Sequence, residues 1–223
     1  ELVPTPLPPP PGPAVGEEET TVSLEDLHEF FRHPVKAFLR RRLQVTTPSE
    51  GEEGDDAVPL TLDALQQWGV GDRLIRDVLS GADPQAAMVA EQLRGLLPPG
   101  HLGTGVLTTI VGRVRPLVEY AMPLRRGEPR AVDVDIELGD LRVTGTIADI
   151  HQNNVVRVSY SSLGAKHRIA GWLDALALAA GAPDENWTLH TIGRHRSTGK
   201  FSLVKPLPAP DAARWLRDLV EVR

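Results

Sequence analysis

The chain has 223 residues, 41% of them hydrophobic, enough length and apolar content to close a buried core and to exclude a disordered polypeptide. It contains no cysteine, which excludes a disulfide framework, a thiolate zinc site and a cysteine nucleophile. The formal charge of -6 argues against wholesale nucleic-acid affinity, but its sign is unevenly placed along the chain.

Seven of the 20 prolines fall within the first sixteen residues, a density that reads as an acidic linker over 1–22 ahead of a folded domain over 23–223. Together with a first residue, Glu1, that is not methionine, this suggests the C-terminal domain of a longer polypeptide. The chain has neither a run of about 18 apolar residues nor a charged-then-apolar leader, so the expectation is a soluble cytoplasmic domain with no membrane contact. Residues 1–31 carry seven carboxylates and no Lys or Arg, while residues 32–42 carry five cations and no acid. From Glu50 to Asp56 five carboxylates sit among glycines, the composition of a solvated loop. From Arg113 onward 16 cations face 13 acids, so the later body is mildly basic.

Residues 23–122 read as mainly helical. Ser23 with Asp26 resembles a helix-starting cap, and Leu24, Leu27, Phe30 and Phe31 repeat at helical spacing until Pro34, which opens a second helix. That helix is expected to turn Val35, Phe38, Leu39 and Leu43 toward a core, with Arg40, Arg41 and Arg42 snorkelling over apolar surface or paired with acids. Short helices are expected at 62–68, ended by Gly69, at 71–80, ended by Gly81, and at 84–95, opened by Asp83 and Pro84. Between Thr104 and Ala121, Val106, Ile110, Val114, Leu117 and Val118 fall on one stripe, which Pro116 should kink.

Residues 123–223 read as a sheet core with helices. Val132, Val134, Ile136 and Leu138 alternate with Asp133, Asp135 and Glu137, and after a turn at Gly139-Asp140 the alternation resumes through Leu141, Val143, Gly145 and Ile147, giving a hairpin. A third strand, 155–160, follows the turn 151–154, so the three form a meander. Ser161 or Ser162 is expected to cap a helix with Ile169, Trp172, Leu173, Leu176 and Ala180 on one face, ending at Gly181. Strands at 187–193 and 201–205 flank a basic turn near Ser197 to Gly199, and a last helix starts near Asp211 and buries Trp215, Leu216 and Leu219. The fold class is α/β (α+β), with a central mixed sheet of about five strands flanked by helices.

No phosphate-binding loop, dinucleotide fingerprint, HExxH or nucleophile elbow occurs. The informative stretch is Leu141 to Ala180. GTIADI, a turn, VRVSYSS and then an amphipathic helix resemble the core of the PD-(D/E)XK nucleases. FFRHPVKAFLRRRLQV and SSLGAKHRIAGWLDALALAAG are similar to the C-terminal region of RecC, the gamma subunit of exodeoxyribonuclease V, a resemblance that covers roughly residues 23–223.

Such a nuclease needs Mg²⁺ held by at least two carboxylates, with a lysine near the attacking water. On the resemblance, the two aspartates of that pattern fall on Ala148 and Ser159 and the lysine on Ser161, so no catalytic residue, metal or cofactor is expected. Asp149 is one residue away and, by the period of a strand, should point to the opposite face. Asp133, Asp135 and Glu137 read as a solvated hairpin face rather than a metal ladder, and the seven scattered histidines lack metal-ligand spacing. Two basic groups could meet phosphate. One is the hairpin tip with Arg194, His195, Arg196 and Lys200; the other is Lys166, His167 and Arg168, where cations oppose a helix dipole unless an anion is near.

The resemblance implies a non-catalytic domain of a RecBCD-type helicase-nuclease that processes double-strand DNA breaks. It implies RecB-like and RecD-like partner subunits, contact with RecD, and a position near the point where the duplex is split. Two alternatives stay open: a metal-dependent nuclease whose ligand has migrated to Asp149, and a pure protein-interaction module.

Overall fold

The alternating stretch forms the hairpin that the sequence requires. In the computed structural model, which describes residues 21–43, 61–195 and 198–223, strand β2 (Pro129–Leu138) turns at Gly139, φ 82°, into β3 (Leu141–His151). Val134, Ile136, Leu138, Val143 and Ile147 are buried on one face. Asp133, Asp135 and Glu137 are exposed on the other, with Asp133 accepting from Thr146 Oγ1 at 2.6 Å and Asp135 paired with Arg142. This is the solvated face read from the sequence. The proline-rich stretch, the acidic loop, Arg196 and Ser197, and the side chains of residues 41–43, lie outside the described residues.

The expected meander is only partly formed. Strand β4 (Asn154–Ser162) pairs with β3 at Ile150↔Val155 and His151↔Asn154, and then the two strands diverge. A short strand, β1 (Thr21–Ser23), pairs parallel with Arg142–Thr144 of β3. Because β2 holds the opposite edge of those same residues, β1 occupies the edge that β4 leaves. Beyond β4 the sheet continues parallel into β5 (Thr188–His195) and antiparallel into β6 (Thr198–Val204), making six strands in a mixed sheet.

Parallel β4 and β5 require a crossover, and α6 (Ala165–Gly181) supplies it. Gly171 admits this helix onto the sheet, since a Cβ there would lie 2.5 Å from Thr191 Oγ1. The helix is buried from Leu173 to Ala179, not along one face only, because α1 (Leu24–Arg32) and α7 (Ala209–Val222) cover its outer side. In α7 it is Ala212, Leu216 and Val220 that are buried, while Trp215 and Leu219 are partly covered. On the other face of the sheet, α3 (Ala64–Leu79), α4 (Pro84–Leu93) and α5 (Gly100–Ala121) build a second core around Val70, Leu74, Ile110 and Leu117 with Val156, Tyr160 and Ile192. The domain is thus a three-layer sandwich, helices to either side of the sheet.

Local signals set three of the helix starts. Ser23 Oγ accepts from Asp26 N at 3.0 Å, Asp63 and Gln66 form a capping box, and Asp83 accepts from Ala86 N with Pro84 at the first turn. Three expectations are corrected. The helices expected at 62–68 and 71–80 are one, because Gly69 does not end the helix and Gly71 faces the Tyr160 ring with no space for a side chain. Neither Ser161 nor Ser162 caps α6. Strand β4 runs on to pair Ser162 with Arg194 of β5, and Gly164 is the cap, its N–H donating to His167 Nδ1 at 3.3 Å. Helix α5, by contrast, runs from Gly100 to Ala121 and so contains the whole expected stripe, with Pro116 inside it. In α2 (Pro34–Leu43), Val35 is 72% and Phe38 54% exposed, and Ala37 is the residue buried. That helix packs on α1, where Arg40 pairs with Glu29, and Val35 and Phe38 face away from the core. No helix among the described residues is long and apolar enough to cross a membrane.

One buried pair fastens α3 to α4. Glu91, 1% exposed, accepts two bonds of 2.8 Å from the Arg73 fork and a third contact of 3.1 Å from Arg94. Arg73→Lys keeps the charge but cannot make two parallel bonds, so it is expected to cost about 2 kcal/mol, close to Arg73→Ala. Urea unfolding checks this; a lysine variant as stable as the parent would show that charge alone suffices.

Candidate functional site

Where β3 and β4 part, a cleft of about 680 Å³ opens on the α6 side of the sheet. Helix α1 roofs it through Leu24, Glu25, His28 and Arg32, and Gly145 of β3 lets Leu24 approach, since a Cβ on Gly145 would meet Leu24 Cβ at 2.7 Å. Ser159 and Ser161, alternating along β4, line the cleft with Arg157 and Val158.

Arg157 and Asp174 dominate its floor. Asp174 is 5% exposed on α6, and its carboxylate accepts from Arg157 Nε at 3.1 Å, Arg157 Nη2 at 3.0 Å and His28 Nε2 at 2.8 Å. Arg157 Nη1 donates to the Ala148 carbonyl at 3.1 Å, bridging the gap between β3 and β4. The serine oxygens are engaged as acceptors, Ser159 Oγ from Ser161 N at 3.1 Å and Ser161 Oγ from Trp68 Nε1 at 2.9 Å.

Asp149 lies elsewhere. The register between β2 and β3 shifts opposite residues 148–149, leaving one extra residue in β3, and Asp149 takes φ 61° in this bulge. Its carboxylate accepts from Arg125 at 2.5 and 3.0 Å and from His151 Nε2 at 3.1 Å, and it lines a separate pocket with Asp72 and Arg76 of α3. Burial pushes this carboxyl upward, but the Arg125 bonds and charge, aided by His151, outweigh it and hold the group below its ordinary range. His151 ends β3 and is buried, its Nδ1 3.1 Å from the Gly127 carbonyl. Among the described residues no group of three or more His, Asp or Glu is placed to hold a metal ion.

The two basic groups differ in availability. Arg194 is half-buried and not a free projection, because its Nε donates to the Tyr160 carbonyl and its guanidinium lies over the Tyr160 ring, 4.1 Å from the centroid. His195 is exposed and Lys200 half-buried at the hairpin tip. Lys166 and Arg168 are exposed on the first turn of α6. His167 between them reaches into the cleft, its ring held below the ordinary imidazole range by burial first and then by the charges of Lys166 and Arg32. Sequence reasoning missed His28, Arg157 and Asp174. A signal existed: Asp174 interrupts an otherwise apolar helical run, and a buried carboxylate demands partners.

These features define a mixed α/β domain with an open seam in its sheet beside a crossover helix. Comparison with known proteins carries this further. The model of the RecC C-terminal domain matches residues 19–223, so the chain belongs to the RecC C-terminal domain family. The RecBCD enzyme subunit RecC of Mycolicibacterium smegmatis is 42% identical over 219 residues, covering 97% of this chain and 19% of that protein. The RecBCD enzyme subunit RecC of Mycobacterium tuberculosis is 39% identical over 200 residues, 89% of this chain and 18% of that protein. That of Escherichia coli is 25% identical over 201 residues, 90% of this chain and 17% of the relative. The chain spans about a fifth of the length of the curated relatives it matches.

Proposed function

We propose that this chain is a non-catalytic, DNA-handling and scaffolding domain of a RecBCD-type helicase-nuclease that processes double-strand DNA breaks for homologous recombination in the cytoplasm. Membership of the RecC family supports the complex, with RecB-like and RecD-like subunits as partners and forked or duplex DNA as the substrate. The observation that carries the non-catalytic part is the Arg157 fork seated on Asp174. A Mg²⁺ site needs carboxylate oxygens free of competing cations. Here the buried carboxylate of the cleft is already matched by a guanidinium and an imidazole, and Ala148, Ser159 and Ser161 supply a methyl and two hydroxyls. Lys166, Arg168, His195, Arg196 and Lys200 are the candidate DNA contacts of this reading. The exposed Val35 and Phe38 of α2 favour a protein-interaction role alongside it.

The test uses the assembled complex with its RecB-like nuclease inactivated. Neither Mg²⁺ nor Mn²⁺ is expected to support DNA cleavage. Residual metal-dependent cleavage that disappears on Asp149→Ala would sink the non-catalytic reading and revive the migrated-ligand nuclease.

A further inference from the structure

At the outer mouth of the cleft, hydrogen-bond donors gather on the side away from Glu25 and Glu29, the two α1 carboxylates that line a neighbouring pocket with Arg32. A smaller pocket of about 260 Å³ shares His28, Arg32, Ser159, Ser161 and His167 with the cleft and adds Lys166, Phe31 and Trp68, with no carboxylate in its lining. Arg32 and Lys166 form no hydrogen bond or ion pair with any described residue, while most other arginines among the described residues face an acid or a carbonyl. His167 Nδ1 accepts from Gly164, so in the neutral ring Nε2 carries the proton and is a donor. The Ser159 and Ser161 oxygens each accept a bond, which leaves both hydroxyl protons to be donated. Helix α6, 17 residues long, begins at the same place with no side-chain cap on its first N–H groups.

Arg32, Lys166 and His167 stand around one pocket, where like charges repel each other, and a phosphate there would offset that repulsion and accept from several of these donors at once. An isolated anion site needs no aromatic group. This one has Trp68, 37% exposed, pinned at its indole N–H by Ser161, with Phe31 beside it. A positive groove bearing an accessible aromatic face is the arrangement that takes a nucleotide of a single strand, phosphate to the cations and base to the ring.

We propose that the mouth between α1, the end of β4 and the first turn of α6 binds one nucleotide of a single nucleic-acid strand. Arg32, Lys166, His167 and the Ser159 and Ser161 hydroxyls hold its phosphate, and its base lies against Trp68. This rests on the DNA-handling reading and locates it on residues outside the hairpin tip.

Amide hydrogen exchange of residues 165–168 in the intact protein tests it. The probes are inorganic phosphate and a single-stranded oligothymidylate with and without a terminal phosphate, each compared with chloride at matched ionic strength. The oligonucleotide is expected to slow exchange of this turn, and Arg32→Glu with Lys166→Glu to abolish the effect while exchange in β4 and β5 stays unchanged. Trp68→Ala is expected to weaken the oligonucleotide about tenfold, and more than it weakens inorganic phosphate. Protection by both oligonucleotides identifies a backbone phosphodiester; protection only by the phosphorylated one identifies a strand end, and either supports the assignment. No protection by any oligonucleotide, protection by inorganic phosphate alone, or protection undiminished in the double variant overturns it. None of these readouts involves cleavage, so the failure of this site and the failure of the non-catalytic reading are separate results.

Discussion

Gly71→Ala is expected to destabilise the protein by about 2 kcal/mol, although alanine in a helix interior is ordinarily favoured over glycine by about 1 kcal/mol. A Cβ at this position of α3 would lie 2.4 Å from Tyr160 Cγ and 2.5 Å from both Cδ atoms. Tyr160 cannot retreat cheaply. It is 1% exposed in the core between the sheet and α3, and the Arg194 guanidinium lies over its ring. Either the helix lifts from the sheet or the ring leaves its rotamer, and both lose contacts on that face. The discriminating measurement is the same substitution in a Tyr160→Leu background. Removing the ring should make Gly71→Ala neutral or stabilising, a reversal of sign within one double-mutant cycle. Urea midpoints at equal slope would show it. An alanine variant as stable as the parent protein would mean that the helix shifts at no cost.

The second large effect belongs to the cleft floor, and its ordering is the informative part. Arg157→Ala is expected to cost about 3 kcal/mol, and Asp174→Ala about 2 kcal/mol, because the two substitutions strand different charges. Without Arg157, a carboxylate that is 5% exposed keeps only the His28 contact. Without Asp174, the guanidinium is a third exposed, can turn to water and still has the Ala148 carbonyl. A carboxylate buried in a helix cannot turn so. Were Asp174→Ala the costlier change, the Arg157 side chain would have to be more confined than its exposure implies. Chemical unfolding of the two single variants and the double variant separates the cases.

How much of this was legible beforehand depends on the range of the interaction. The β2–β3 hairpin could be read residue by residue, since period-two alternation and a glycine turn are local facts. So could the Ser23 and Asp83 helix starts. The RecC family was legible in two segments, around Pro34 and from Ser161 to Gly181. What escaped was set across the fold. A three-residue strand such as Thr21–Ser23 has no periodicity to detect and exists only because β4 leaves an edge free. Gly69 looked like a helix stop because glycine's local preference is to end helices, whereas the position of Gly71 against Tyr160 outweighs it. Arg194 read as a free cation for the same reason: its partner, the Tyr160 carbonyl, is on a neighbouring strand that no local pattern identifies. At the candidate site the resemblance pointed to two missing aspartates at Ala148 and Ser159 and a missing lysine at Ser161, but the Arg157, Asp174 and His28 network was not legible, because it joins a strand, a crossover helix and the first described helix.

The insertion of β1 beside β3 has a further consequence for how the domain is put together. Strands β2 to β6 with α6 are contiguous in sequence and can grow from near-neighbour contacts, whereas Val22 reaches Val143 only after the whole intervening helical half has been gathered in. The floor of the cleft is therefore the short-range part of the fold, and its roof is the long-range part. The 2.8 Å bond from His28 to Asp174 is one fastener between them, beside the β1–β3 pairing and the packing of Leu24 on Gly145. An assembly step that pulled on the chain ahead of Thr21 would act on the lid of the cleft directly, through a strand three residues long, and leave the remaining sheet pairings untouched.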